Sequence, residues 1–174
     1  MYSKPILIIA GEPKSIFLEI FFKSLKKNKF KSPLILIVNE NILLKQMRIL
    51  NYNFRINRLN INNLNYKNLT NKTINIINIP FNSKFTSKYI YQSFETALLL
   101  IKKNNNINLI NGPINKKKIL KQRFLGITEY LDFKTKSNGK TVMLIYNKNL
   151  SVSPLTTHLP LKKVHRYINK KKNN

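Results

Sequence analysis

The 174 residues carry 32 lysines and arginines against six acidic residues, a formal net charge of +26, on a chain long enough for one well-buried domain or part of a larger one. No cysteine occurs, which excludes disulfides, thiolate metal sites and a cysteine nucleophile and fits a reducing cytoplasm. No apolar run reaches membrane-spanning length, so no membrane partner is expected.

Taken in chain order, Ile6 to Ala10 is a continuous apolar run that ends at Gly11-Glu12-Pro13, as a buried parallel strand does where it turns out at its carboxyl end. A helix should follow, with Pro13 in its first turn and Phe17, Ile20, Phe21 and Leu25 on one face. Leu34 to Val38 reads as a second buried strand, and Asn39 as the cap of a helix from Glu40 to about Leu50 with Leu43, Met47 and Leu50 inward. From Tyr52 to Lys72 asparagine dominates. Phe54 to Leu59 alternates as an edge strand, the rest is expected as loop, and Ile74 to Ile79 is another strand ended by Pro80. The Asn-Ile repetition is read as compositional.

Thr86 to Lys103 carries the strongest helical pattern, with Ile90, Phe94, Ala97, Leu98 and Ile101 on one stripe. Ile107 to Ile110 is expected as a strand broken by Gly112-Pro113, and Asn115 to Arg123 as a short basic helix whose lysines face solvent, the alternative being that its amino end meets a phosphate through free N–H groups and Lys116. After the Gly126-Ile127-Thr128-Glu129 loop, Tyr130 to Ser137 is expected as helical or irregular and Asn138-Gly139 as a turn. Thr141 to Tyr146 and Leu150 to Leu155 follow as two buried strands. Leu161, Val164 and Ile168 begin a last helix. The fold class is therefore α/β, a mixed or mostly parallel sheet flanked by helices. Ile6–Ala10, Leu34–Val38, Ile107–Ile110 and Thr141–Tyr146 are its central strands, residues 1–168 form one unit, and residues 169–174 form a disordered basic tail.

His158, at the end of Ser151-Val152-Ser153-Pro154-Leu155-Thr156-Thr157-His158-Leu159-Pro160-Leu161, is the candidate metal ligand, since a neutral imidazole at a strand end can hold a divalent cation. Together with Gly11-Glu12-Pro13, Gly112-Pro113-Ile114-Asn115-Lys116 and Gly126-Ile127-Thr128-Glu129-Tyr130, this stretch resembles the amino-terminal half of the 4-hydroxythreonine-4-phosphate dehydrogenase family. Four segments match in the family's order. The fold expected is thus incomplete relative to that of the full-length family.

The resemblance implies an NAD-dependent enzyme of pyridoxal 5'-phosphate biosynthesis that oxidises 4-phosphohydroxy-L-threonine, with decarboxylation. It further implies a divalent metal (zinc, magnesium or cobalt) held by three histidines, a phosphorylated small-molecule substrate, and a homodimer or a complementary carboxyl-terminal half as partner. By the same match His158 is the first metal ligand and Thr128 a substrate contact. Ile127 stands where the family has histidine, and an isoleucine side chain cannot hydrogen bond. Small residues and glycines that continue the family's first turn are here Lys14-Ser15-Ile16-Phe17, and the interval from Gly112 to Gly126 is slightly shorter. His165 matches no family ligand.

The remaining ligands and most of the NAD site belong to a second half that these residues do not match, so catalytic and cofactor-binding residues are not assigned and the chain is expected to be truncated. One imidazole does not make a three-ligand site, and the four glycines form no GxGxxG fingerprint. A catalytically inactive remnant, or half of a split enzyme, fits the same residues. A small basic nucleic-acid-binding protein is a further reading, but no RRM, KH or helix-turn-helix signature appears. The lysines are dispersed among asparagine and isoleucine, as an AT-rich genome favours, so a solvated basic surface with weak nonspecific polyanion binding accounts for the charge.

Overall fold

The computed structural model describes residues 4–120, 123–137, 141–156, 159–166 and 168. The chain divides into two compact units, Met1–Ile119 and Leu120–Asn174.

In the first unit five strands form one sheet: β1 (Ile6–Ile9), β2 (Leu34–Val38), β3 (Ile56–Arg58), β4 (Ile74–Asn78) and β5 (Asn108–Asn111). Their order is β3-β4-β2-β1-β5, and every pairing is parallel. Parallel strands need crossovers, and helices supply three of the four, α1 (Phe17–Lys27), α2 (Glu40–Ile49) and α3 (Thr86–Lys103), while β3 returns to β4 through two 3-10 turns, Ile61–Asn63 and Tyr66–Asn68. The alternation of side chains along each strand sends Ile8, Leu36, Val38, Ile74 and Ile76 into one core with Leu18, Phe21 and Phe22 of α1 and Leu43 and Met47 of α2. Leu7, Ile9, Ile35, Ile37 and Ile77 are buried on the other face, and α3 packs against β1 and β2. Both faces being covered explains why β1 and β2 read as unbroken apolar runs. Each fully buried Ile, Leu or Phe contributes about 1.5–3 kcal/mol.

Several expectations hold in detail. Asn39 caps α2, its side-chain oxygen accepting from the Ile42 N–H at 3.2 Å. In α3 Ile90, Phe94 and Ala97 are buried as expected, and the stripe extends to Tyr89, Ser93 and Leu100 rather than to Leu98 and Ile101.

Other expectations are corrected. Pro13 lies in a turn, and α1 begins only at Phe17. Phe21 is buried as expected and Phe17 and Leu25 pack against the same core, joined by Leu18 and Phe22, while Ile20 is half exposed. The strand expected at Ile107–Ile110 is β5, an edge strand rather than a central one, because the sheet ends there; β4 takes a central place instead. The asparagines are not merely compositional. Asn75 is buried, donating to the Leu34 and Thr70 carbonyls, both at 3.0 Å, and accepting from the Asn57 side chain at 2.9 Å. Asn71 joins the Phe30 and Ser32 carbonyls to the Leu34 N–H.

The helix α4 (Lys116–Leu120) is tied to α3 by a hydrogen bond from the Tyr91 hydroxyl to the Ile119 carbonyl. In the second unit lie α5 (Ile127–Thr135), a ribbon of β6 (Ile145–Tyr146) and β7 (Ser151–Val152), and α6 (Leu161–Val164). The ribbon corrects the largest expectation. Thr141–Tyr146 and Leu150–Leu155 are not buried strands of the main sheet. They flank an antiparallel hairpin closed by the reciprocal Asn147–Leu150 backbone hydrogen bonds, with Val142 71%, Tyr146 75% and Leu150 68% exposed. Asn138-Gly139 and the tail 169–174 lie outside the described residues.

Candidate functional site

Two of the four singled-out segments meet at the carboxyl ends of β1 and β5. The chain leaves β1 for β2 on one side and returns through α3 to β5 on the other, which makes these strand ends a topological switch point, where open α/β sheets leave a crevice. Gly11 turns the chain out of β1 with φ +77°, and Gly112 N–H donates to the Ile9 carbonyl at 2.7 Å. The two backbones lie so close that a Cβ on Gly11 would stand 2.3 Å from the Pro113 carbonyl oxygen, and one on Gly112 2.4 Å from that of Ala10. Glu12 then bridges the segments: its N–H donates to the Pro113 carbonyl at 2.8 Å, and its carboxylate accepts from the Asn115 N–H at 3.2 Å.

Beside this junction lies a cleft of about 930 Å³ lined by the turn after β1, the first turns of α2 and α3, and Asn115, Lys118 and Ile119. Under it Tyr89 is buried, its ring edge-on to Phe81, and its hydroxyl accepts from the Asn39 N–H at 3.4 Å. Burial pushes the Tyr89 hydroxyl up to about 12, helped by the nearby negative charge of Glu12 and opposed by that hydrogen bond.

The other two segments lie in the second unit. Ile127 and Thr128 are not loop residues: they open α5. Gly126 enters in an extended conformation, and the Tyr130 N–H closes on the Gly126 carbonyl at 3.2 Å. Glu129 in this first turn suits the positive end of the helix dipole, and its carboxylate folds back over Gly126. An aromatic group holds the turn in place: Phe124 lies edge-on to Tyr130 at 5.5 Å and tilted against Phe133 at 5.3 Å, with the Arg123 guanidinium over Phe133 at 5.2 Å. Thr128 is half-buried in the first turn, where backbone N–H groups and the helix dipole favour an anionic or hydroxyl-bearing ligand. Ile127 beside it offers no polar atom.

His158 lies outside the described residues, so its placement against Thr128 does too. His165 follows the short α6 and is exposed. Among the described residues no three His, Cys, Asp or Glu side chains stand together, so these residues by themselves do not fit a divalent cation. Nor does the backbone of the first βα turn cradle the phosphates of NAD as a glycine-rich loop does: its glycine is committed to close packing against Gly112-Pro113, and Lys14-Ser15-Ile16 follows it. Sequence reasoning missed Lys14, Lys45 and Lys118, which line this cleft from three separate segments.

Comparison with known proteins places this geometry. A family model described as "Pyridoxal phosphate biosynthetic protein PdxA" matches residues 29–174. Two curated 4-hydroxythreonine-4-phosphate dehydrogenases of Neisseria meningitidis, from serogroups A and B, are each 38% identical over 81 residues, which cover 44% of this chain and 24% of theirs. The solved 4-hydroxythreonine-4-phosphate dehydrogenase of Burkholderia phymatum superposes with a TM-score of 0.79 at 21% identity, over 99% of this chain and 55% of that one. That of Klebsiella pneumoniae gives 0.77 at 21% identity, over 98% and 56%. At such identities the superpositions establish the fold, and the chain spans about half the length of these solved proteins. With most of its length matched by one family model, the chain belongs to the PdxA family of pyridoxal phosphate biosynthetic proteins.

Proposed function

We propose that the chain supplies the amino-terminal half of a 4-hydroxythreonine-4-phosphate dehydrogenase, an enzyme that oxidises the secondary alcohol of 4-phosphohydroxy-L-threonine with NAD and releases carbon dioxide. The observation that carries this reading is the family match over 29–174, which runs through both Thr128 and His158. Thr128 orients the substrate with a hydroxyl that both donates and accepts, from the first turn of α5. His158 is the ligand this chain brings to a zinc, magnesium or cobalt ion, and the other ligands come from the rest of the family fold. A divalent ion held there would supply Lewis acidity toward the substrate alcohol, and NAD would serve as the hydride acceptor.

The exposed apolar ribbon supports a partner in the assembled enzyme. Val142, Leu144, Tyr146 and Leu150 leave apolar surface on both of its faces, more than a solitary chain ordinarily keeps in water. A second subunit or the complementary carboxyl-terminal half covers it in this reading. Among the described residues no helix is long and apolar enough to cross a membrane. We place the enzyme in the cytoplasm, in keeping with its lack of cysteine.

Ile127 favours a second reading, a remnant that keeps the fold without turnover, since one substrate contact of the family is gone. The test follows NADH absorbance with 4-phosphohydroxy-L-threonine, NAD and each metal, for the chain alone and for the chain with a polypeptide carrying the rest of the fold. Turnover is expected only in the second case, with Thr128→Val raising KM and His158→Ala abolishing activity. Turnover indifferent to both substitutions would refute the assignment, and a folded but silent complex would establish the remnant.

A further inference from the structure

The cleft in the first unit is lined by neither Thr128 nor Ile127. Three lysines from three separate segments line it: Lys14 from the turn after β1, Lys45 from α2 and Lys118 from α4. All three are exposed, and none is ion-paired with a carboxylate among the described residues. Of the two glutamates that line the same cleft only Glu19 is neutralised by a cation, so three lysines face the single charge of Glu12. Glu12 accepts from the Asn115 N–H, and Glu19 is paired with Lys23 at 2.5 Å. The cleft therefore carries a surplus of positive charge.

The sheet topology adds to it. Because β2 and β4 are parallel, the helices that follow them, α2 and α3, both begin at this end of the sheet, and Asn41, Thr86 and Ser87 of their first turns line the cleft. The positive ends of two helix dipoles thus meet three unpaired ammonium groups at a topological switch point. Ile42, Phe81 and Ile119 add apolar surface, and about 930 Å³ falls in the range, roughly 300–1,000 Å³, of small-molecule sites.

We propose that this cleft is an anion site that takes the phosphoryl group of a small phosphorylated ligand through Lys14, Lys45 and Lys118, with the apolar residues receiving the ligand's carbon body. The site is independent of the dehydrogenase reading: it uses none of the residues assigned there, and its test requires no turnover.

The test is calorimetric titration of the full chain with inorganic pyrophosphate at about 0.1 M salt, where charges farther apart than about 10 Å are screened. Wild type is expected to bind one equivalent saturably. The triple variant Lys14→Gln/Lys45→Gln/Lys118→Gln should bind at least about tenfold more weakly, since charge-assisted hydrogen bonds are lost. A control triple, Lys26→Gln/Lys27→Gln/Lys102→Gln, removes the same charge at the carboxyl ends of α1 and α3 and should bind within about twofold of wild type. In amide correlation spectra of wild type, Thr86, Ser87 and Lys118 should shift on pyrophosphate addition while Lys148 and Asn149 stay put. Equal weakening in both triples, absence of saturable binding, or shifts spread over the whole basic surface would each overturn the proposal.

Discussion

Replacing Gly11 by alanine tests whether the junction of β1 and β5 is built on close backbone approach. At φ +77° an alanine costs about 1–2 kcal/mol in backbone strain. Its Cβ would stand 2.3 Å from the Pro113 carbonyl oxygen, a backbone atom that no rotamer change can move away. Ordinary contact begins near 3.4 Å, so the tips of the two strands must part by about 1 Å. That opening breaks the Glu12 N–H···Pro113 hydrogen bond, 2.8 Å long, and strains the Asn115 contact to the Glu12 carboxylate, each worth about 1 kcal/mol. The expected loss is about 2–4 kcal/mol.

Gly126→Ala serves as the control. Gly126 is extended, and the added methyl would meet only the Glu129 carboxylate, the far end of a side chain that can swing aside. Its loss should stay below about 1 kcal/mol. Urea unfolding followed by circular dichroism reads both, and with a slope of about 2 kcal/mol per molar the Gly11 variant should unfold about 1–2 M earlier. A midpoint for Gly11→Ala no lower than that for Gly126→Ala would refute the argument.

Asn75→Leu, which keeps the volume but strips the polar atoms, should cost about 2–3 kcal/mol by leaving the Leu34 and Thr70 carbonyls and the Asn57 amide without their partner. Removing the exposed end of the ladder by Asn57→Ala should cost under about 1 kcal/mol in the same urea assay. Tyr89 should ionise near 12 rather than at its ordinary 10 in an ultraviolet pH titration compared with that of Tyr89→Phe. Because its folded value is raised, the stability it contributes is complete below pH 10 and is lost as pH rises through about 12. A Tyr89→Phe chain should therefore lose less stability than wild type across that window.

The elements that were legible in the sequence are those whose environment is set by their own neighbours in the chain. β1, β2 and β4 are covered by α1, α2 and α3, so their apolar runs and the helical stripes describe one shared core, and Asn39 caps where its position says it should. The Thr141–Tyr146 run is equally apolar, yet it lies exposed. A strand that awaits a cover and a strand already buried are written with the same residues, and only the packing tells them apart. Asn75 was hidden by composition: one buried, fully bonded asparagine looks like its solvated neighbours until the Asn57 and Leu34 contacts are seen. The cleft escaped notice for a similar reason. Lys14, Lys45 and Lys118 are far apart in sequence, and only the parallel order of the strands brings their segments to one end of the sheet. Thr128 and Ile127 were found by motif, but their place in the first turn of α5 depends on the Phe124, Tyr130 and Phe133 packing behind them.

The pairing of β1 with β5 joins Ile6 to Asn108 and Ile9 to Asn111, partners about a hundred residues apart. On the ribosome β1 emerges long before β5 and is therefore flanked on one side well before the other. β1, β2 and α1 can assemble early, but one side of β1 stays bare until β5 has been made. Closing so long a loop is slow, and an unflanked apolar strand is a target for aggregation while it waits. Variants that weaken the Gly11–Pro113 junction should consequently lower soluble yield in cells by more than their equilibrium stability alone accounts for.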